Sequence, residues 1–183
     1  MTRRSQLTQQ GLPDHPGRSG EQHPHGSSPR TDWRALARNT LVSGSVASVL
    51  STFAVSCCSH WQSGSAVGGT NATSHWFWGD RAKREDRPSL RHTAVGYGIH
   101  HASSIFWAAF HEYAIRRARH PSTVVAAAAV TATTAYVVDY HVVPRRLTPG
   151  FDSRLSGGAM VAAYAAFAVG LGVVGWVRIT RHR

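Results

Sequence analysis

The sequence has few cysteines and few acidic residues. Its two cysteines, Cys57 and Cys58, are adjacent in a chain of 183 residues. Adjacent cysteines provide neither a disulfide framework nor the spacing of metal ligands, so a disulfide-stapled domain and a cysteine-based zinc site are excluded. We interpret both as buried thiols near the end of a helix, where free cysteine acts as a small apolar residue.

Acidic residues number 9 against 20 basic ones, which gives a formal net charge of +11. Such a charge can indicate nucleic acid, but no basic-aromatic binding motif is present. The basic residues instead flank apolar segments, as they do in membrane proteins. We therefore predict contact with a lipid bilayer that has anionic headgroups, and no nucleic-acid partner. The flanking residues are Arg34, Arg38, Arg116, Arg117, Arg119, Arg145, Arg146, Arg178 and Arg181.

Catalytic signatures are also missing from the sequence. It has no credible Ser-His-Asp arrangement, phosphate-binding loop or pair of carboxylates, and no clustered H-x-x-H-H motifs of the membrane di-iron kind. We therefore predict no catalytic residue, lean against an enzyme and expect no cofactor. A metal or haem would have to use the intramembrane residues described below.

Four apolar stretches are present, at about 40–58, 93–114, 122–143 and 157–177. Each is close to the roughly 20 residues that a helix needs to cross a bilayer. No stretch has the alternation of a strand, and residues 60–91 are interpreted as a loop. The sequence predicts an all-α fold, a four-helix transmembrane bundle over residues 36–183 with a disordered, polar tail over 1–35. A peripheral protein, with the second segment lying on the membrane surface, is the alternative.

The second and third segments contain ionisable residues, which are costly at membrane depth and often functional. These form a predicted polar intramembrane cluster. Its members are His100, His101, His111, Glu112, Asp139 and His141. Because segments two and three are antiparallel neighbours, we expect His100 or His101 to hydrogen-bond to Asp139, directly or through one water. We also expect Arg116 to lie within reach of Glu112.

The cluster admits three interpretations. It is a structural hydrogen-bond network, of the kind that contributes modestly to helix packing, or a proton or ion path through His100, His101 and Asp139. In the third interpretation it is a metal or haem site, for which the same three residues are the candidates. Accordingly, the predicted function is a structural or assembly component of the membrane; a transporter subunit and a metal- or haem-binding enzyme are the alternatives.

Aromatic and basic residues outside the apolar stretches suit the membrane–water interface. We assign His75, Trp76, Trp78, Arg145 and Arg146 to it. Residues 145–154 cannot form a continuous helix, because prolines precede and interrupt them. Leu147 and Phe151 are expected to turn toward apolar surface.

The chain resembles small bacterial inner-membrane proteins with four spans. The resemblance rests on Asn71-Ala72-Thr73-Ser74-His75-Trp76-Phe77-Trp78-Gly79, on His100-His101 with Trp107, on Asp139-Tyr140-His141, and on Pro144-Arg145-Arg146-Leu147-Thr148-Pro149-Gly150-Phe151. It covers roughly residues 40–177 and implies location and architecture without any activity. The arginine distribution places both termini in the cytoplasm. Other membrane proteins, or further copies of the chain, are the expected protein partners.

Overall fold

The computed structural model describes residues 32–181. The predicted disordered tail lies outside the described residues, apart from its last four. Within residues 32–181 all regular structure is helical. This confirms the all-α expectation for the described part of the chain.

The first long helix, α1, spans Trp33–Ser63. It begins at Asp32, whose carboxylate accepts hydrogen bonds from the backbone N–H groups of Arg34 (3.0 Å) and Ala35 (3.1 Å). It ends at Gly64, whose φ of 75° is the left-handed conformation that glycine tolerates best. The helix is longer than the predicted span of 40–58, because polar residues at both ends continue it. Cys57 is exposed and Cys58 only partly buried, so their assignment as buried thiols was wrong.

The second and third segments form a helical hairpin. Helix α4 spans Val95–Ile115 and is preceded by a π-helical turn, Leu90–Ala94. Helix α5 spans Pro121–Val137, with proline at its first turn as predicted. It continues as a second π-helical turn, Val138–Val142, and is stopped before Pro144. Helix α6 spans Gly157–Arg181.

Small residues allow these long helices to approach closely. Helix α1 packs on α4 and α6, while α5 packs on α6 and α4. At Gly170 of α6, an added Cβ would lie 2.8 Å from the backbone nitrogen of Ala47. At Gly44 of α1, it would lie 2.7 Å from the Cα of Ile105. The central core is Ala47, Ala108, Ala128, Ala132, Phe167 and Leu171.

Large apolar side chains cover much of the outer surface, including Phe53, Phe106, Phe110, Val130 and Val161. Within the described part of the chain, three helical stretches are long and apolar enough to cross a membrane: Trp33–Ser63, Pro121–Val142 and Gly157–Arg181. The segment in α4 is more polar, since it contains three histidines and a glutamate.

The loop predicted at 60–91 is partly helical, which corrects the sequence interpretation. It contains α2, Gly68–Thr73, and α3, His75–Trp78, and every residue of α2 is buried. Helix α2 lies on α4 at Gly96, where an added Cβ would collide with the carbonyl oxygen of Thr70. Small residues are common in loops, but here they allow a short helix to pack tightly.

The connection between α5 and α6 contains two 3-10 turns, Arg145–Leu147 and Phe151–Ser153. It therefore lacks a continuous helix, as predicted. Phe151 is buried, with 4% exposure, whereas Leu147 is 47% exposed. We call residues 64–94 and 144–156 together the cap, because they cover one end of the long helices.

Hydrogen bonds join the two parts of the cap. The indole of Trp76 donates to the carbonyl of Thr148 (2.9 Å), and a ring nitrogen of His75 lies 3.3 Å from the carbonyl of Arg145. The Asn71 amide donates to the carbonyls of Glu85 (2.9 Å) and Arg87 (3.1 Å). The cap is thus an ordered part of the fold.

Candidate functional site

A cavity of about 470 Å³ lies beneath the cap, between α4, the end of α5 and α6. Its volume is in the range of small-molecule sites, roughly 300–1,000 Å³. Six aromatic side chains dominate its wall: Trp76, Phe106, Trp107, Phe151, Tyr164 and Phe167. Because Phe106 is 56% exposed, the cavity opens at the surface beside α4.

Among the described residues that line the cavity, Asp139 is the one acidic side chain, and none is lysine or arginine. The Tyr164 hydroxyl donates a 2.8 Å hydrogen bond to its Oδ2, and the Trp107 side chain approaches the same carboxylate. Among residues 32–181, no lysine, arginine or histidine forms an ion pair with Asp139. The carboxylate therefore reaches the cavity without a basic partner.

The π-helical turn Val138–Val142 determines where Asp139 lies on its helix. Such a turn inserts an extra residue into the helical repeat, shifts the side chains that follow, and is common at functional sites. Tyr164 is supported in turn by Tyr136 and Tyr140, whose ring centroids lie 5.4 and 6.3 Å from its own. Sequence reasoning missed Tyr164; a polar aromatic residue inside the fourth apolar segment was the available signal.

His100 lines the same cavity, but its polar contact is on α1. Its Nε2 lies 2.9 Å from the Ser51 hydroxyl oxygen. That hydroxyl donates its single proton to the Ala47 carbonyl (2.8 Å), so we assign the proton of the imidazole to Nε2, from which it donates to Ser51. The ring also packs edge-on against Phe151, with centroids 5.5 Å apart.

The direct form of the predicted His–Asp hydrogen bond is wrong. Within the described residues the partners of Asp139 and His100 are Tyr164 and Ser51. His101 has a buried Nδ1 without a hydrogen-bond partner and packs against Tyr97 at 5.6 Å. His100 and Asp139 do line the same cavity, so they lie at a similar depth along their two helices. A link between them through one water stays a prediction.

A second polar group lies farther along α4. Glu112 is 1% exposed. It accepts a 2.5 Å hydrogen bond from Ser43 of α1 and lies 2.7 Å from the guanidinium of Arg178 of α6. The predicted partner was wrong, since Arg116 packs over Tyr113 instead, 3.8 Å from the ring centroid. Ser43 and Arg178 were missed because both are remote in sequence.

His111 is fully buried next to this group, and the backbone of Ala127 and of Leu171 lies beside its ring. His141, by contrast, is exposed and lies 5.6 Å from the ring centroid of Tyr136. The six predicted cluster residues therefore do not form one cluster: His100 and Asp139 line the cavity, and His111 and Glu112 are buried together farther along α4. His101 packs on Tyr97, and His141 is exposed. The core residue Ala108 lies on α4 between the two groups.

No group of three or more His, Cys, Asp or Glu side chains that could hold a metal occurs within residues 32–181. The candidates His100, His101 and Asp139 thus do not converge on one point. Of the three interpretations of the polar cluster, the metal site has the least geometric support in the described residues.

The residues assigned to the interface have different environments. His75 is buried, and its Nδ1 lies 2.8 Å from the Ala72 carbonyl, so its contacts are internal to the cap. Trp78 is more exposed: its indole donates to the Arg91 carbonyl (3.0 Å), and the Arg91 guanidinium lies 4.2 Å from its ring. Arg145 and Arg146 are exposed.

No protein-family model matches the chain, and no curated protein or solved structure shows significant similarity to it. The resemblance to small four-span bacterial membrane proteins therefore stays a prediction. Functional conclusions rest on the geometry of the cavity.

Proposed function

We propose that the chain is an integral membrane protein that binds a small apolar molecule in the cavity beneath the cap. It crosses the bacterial inner membrane four times, with both termini in the cytoplasm. Three apolar helices support the membrane location. The observation that carries the binding function is the aromatic cavity of about 470 Å³.

Helix α4 is the fourth span in this proposal. Its 21 residues give a length of about 30 Å at 1.5 Å per residue, which matches the hydrocarbon core of a bilayer. Phe106, Phe110 and Tyr113 are exposed on its outer side, while Ser104, His111 and Glu112 face inward. This division suits a helix with lipid on one side and protein on the other.

The position of the opening indicates how a ligand would enter. Exposed Phe106 and Leu147 both line the cavity. In a four-span arrangement the exposed side of α4 faces lipid, so an apolar molecule dissolved in the bilayer would reach the cavity laterally. Aromatic walls with a few polar groups are typical of small-molecule sites.

The packing of the helix core favours ligand binding over ion conduction as the function of the cavity. Ala108 lies on α4 between His100 and Glu112 and belongs to one packed core cluster with Phe167 and Leu171. An ion path from His100 toward Glu112 would have to pass this packed cluster. A structural or assembly role does not require an aromatic cavity, and the test below separates that role from ligand binding.

The test uses 1-bromo-4-tert-butylbenzene, an apolar probe whose bromine quenches tryptophan fluorescence. With protein in dodecyl maltoside, we expect a saturable component of quenching from Trp76 and Trp107. Ser103→Trp should abolish it by filling the cavity that Ser103 lines. Ala109→Trp, on an exposed face of the same helix, should leave it unchanged. Identical titrations for wild type and Ser103→Trp would contradict the proposal.

A further inference from the structure

We infer that the cavity selects an organic ammonium ion, an amine or quaternary ammonium with an apolar body, whose positive charge lies against Asp139. This inference rests on the proposed binding function and specifies its ligand class. It follows from the charges that line the cavity, from the aromatic side chains around Asp139, and from the direction of the neighbouring hydrogen bonds.

The wall of the cavity offers a carboxylate and no cationic side chain. Among the described residues, Asp139 is its one acidic residue, and no lysine or arginine lines it. A carboxylate removed from water is costly unless a positive charge or hydrogen bonds compensate it. Tyr164 donates to Oδ2 and the Trp107 side chain approaches the carboxylate, but among the described residues no positive charge pairs with it. A ligand cation would supply the missing compensation.

The aromatic side chains strengthen this preference. Phe106, Trp107 and Tyr164 line the cavity together with Asp139. The face of an aromatic ring attracts a cation, an interaction of roughly 0.5–2 kcal/mol that increases when water is excluded. A carboxylate among aromatic rings therefore distinguishes an ammonium ion from a neutral molecule of the same shape.

An anionic ligand is disfavoured by the same geometry. Among the described residues, His100 is the one side chain in the wall with a basic nitrogen. Its Nε2 proton is directed at Ser51 on α1, as assigned above from the 2.9 Å contact. The imidazole is thus engaged within the protein, and an anion would meet a carboxylate that has no basic partner.

The experiment compares two probes of nearly identical shape. (4-Bromophenyl)trimethylammonium carries a positive charge, and 1-bromo-4-tert-butylbenzene has carbon in place of nitrogen. Both are titrated by tryptophan quenching in dodecyl maltoside, which has neither charge nor ammonium group. We expect wild type to bind the cation at least about tenfold more tightly, a difference of about 1.4 kcal/mol.

Asp139→Asn keeps a hydrogen-bond acceptor for Tyr164 and removes the charge. It should reduce cation affinity at least about tenfold, while affinity for the neutral probe changes less than about twofold. If this variant does not fold, Phe106→Leu provides a second measurement at an exposed position. It removes a ring face but retains apolar bulk, so it should weaken the cation more than the neutral probe.

The titrations distinguish failure of the ammonium assignment from failure of the proposed binding function. Equal affinity of wild type for both probes, or an unchanged preference in Asp139→Asn, would overturn the ammonium assignment while leaving the proposed function intact. Failure of both probes to bind would reject both. Competition by phosphatidylethanolamine but not by phosphatidylglycerol would support the assignment with a lipid headgroup as the source. Competition by free amines alone would support it with a soluble source.

Discussion

Glu112 shows how one buried charge joins three helices. Its carboxylate contacts Ser43 of α1 and Arg178 of α6 while belonging to α4. Breaking a buried pair by removing one partner typically costs about 3–5 kcal/mol, because the remaining charge is left uncompensated. The side chain of Arg178 is partly exposed, so the loss is larger when arginine is removed than when glutamate is.

We predict that Arg178→Leu lowers the unfolding temperature of the detergent-solubilised protein more than Glu112→Leu does. Glu112→Gln should be the mildest of the three, since its amide still accepts from Ser43 and loses only the ion pair. The matched control is Arg116→Leu, which removes an arginine with no contact to Glu112 in the structure and should change the temperature little. Wild-type stability in Arg178→Leu would contradict this description of the pair.

At the scale of elements, the cap determines whether the cavity is enclosed. The two halves of the cap meet through the Trp76–Thr148 and His75–Arg145 contacts. Phe151 extends from the second half into a cluster with Val55, Leu155 and Met160. The connection between α5 and α6 is therefore anchored at Phe151, while Leu147 is exposed at the mouth of the cavity.

Cysteine labelling tests this anchoring. In a background with Cys57→Ser and Cys58→Ser, we predict slow modification of Phe151→Cys by a membrane-impermeant thiol reagent and fast modification of Asp152→Cys. The reason is the difference in exposure, since Phe151 is 4% exposed and Asp152 is an exposed residue of the same turn. Leu147→Cys, at the mouth of the cavity, should react slowly if that mouth faces lipid. Full-rate labelling of Phe151→Cys would mean that the cap is not packed as described.

For the whole molecule, the distribution of apolar surface is the main physical fact. The outer faces of the long helices expose many aliphatic and aromatic side chains. The buried positions contain many small and polar residues, among them Ser43, Ser48, Ser51 and Ser59 on α1. A water-soluble protein of this size would bury its large apolar residues, because the hydrophobic effect favours their removal from water.

We predict that alkaline carbonate leaves the expressed chain in the membrane pellet and that only detergent releases it. High salt serves as the control, since it screens the attraction between arginine side chains and anionic headgroups. Release by salt would indicate electrostatic surface binding. Release by carbonate alone would favour the peripheral alternative, in which α4 lies on the membrane surface.

The sequence by itself determined the helical architecture. Apolar runs of about 20 residues need their backbone groups satisfied within the helix, and Pro121 and Pro144 sharply bound the third run. Helical periodicity alone also places Phe106, Phe110 and Tyr113 on one side of the second apolar segment, and all three are exposed in the structure. These features depend on local patterns, so the sequence contains them directly.

Only the tertiary structure decided which polar groups meet. Ser43, Arg178 and Tyr164 are the partners of Glu112 and Asp139, and they lie on α1 and α6. Sequence reasoning paired each ionisable residue within the α4–α5 hairpin, because neighbouring segments were the only proximity that could be inferred. The helical cap was missed for the same reason. Its small residues favour a loop in isolation, and α2 is stabilised only by its burial against α4.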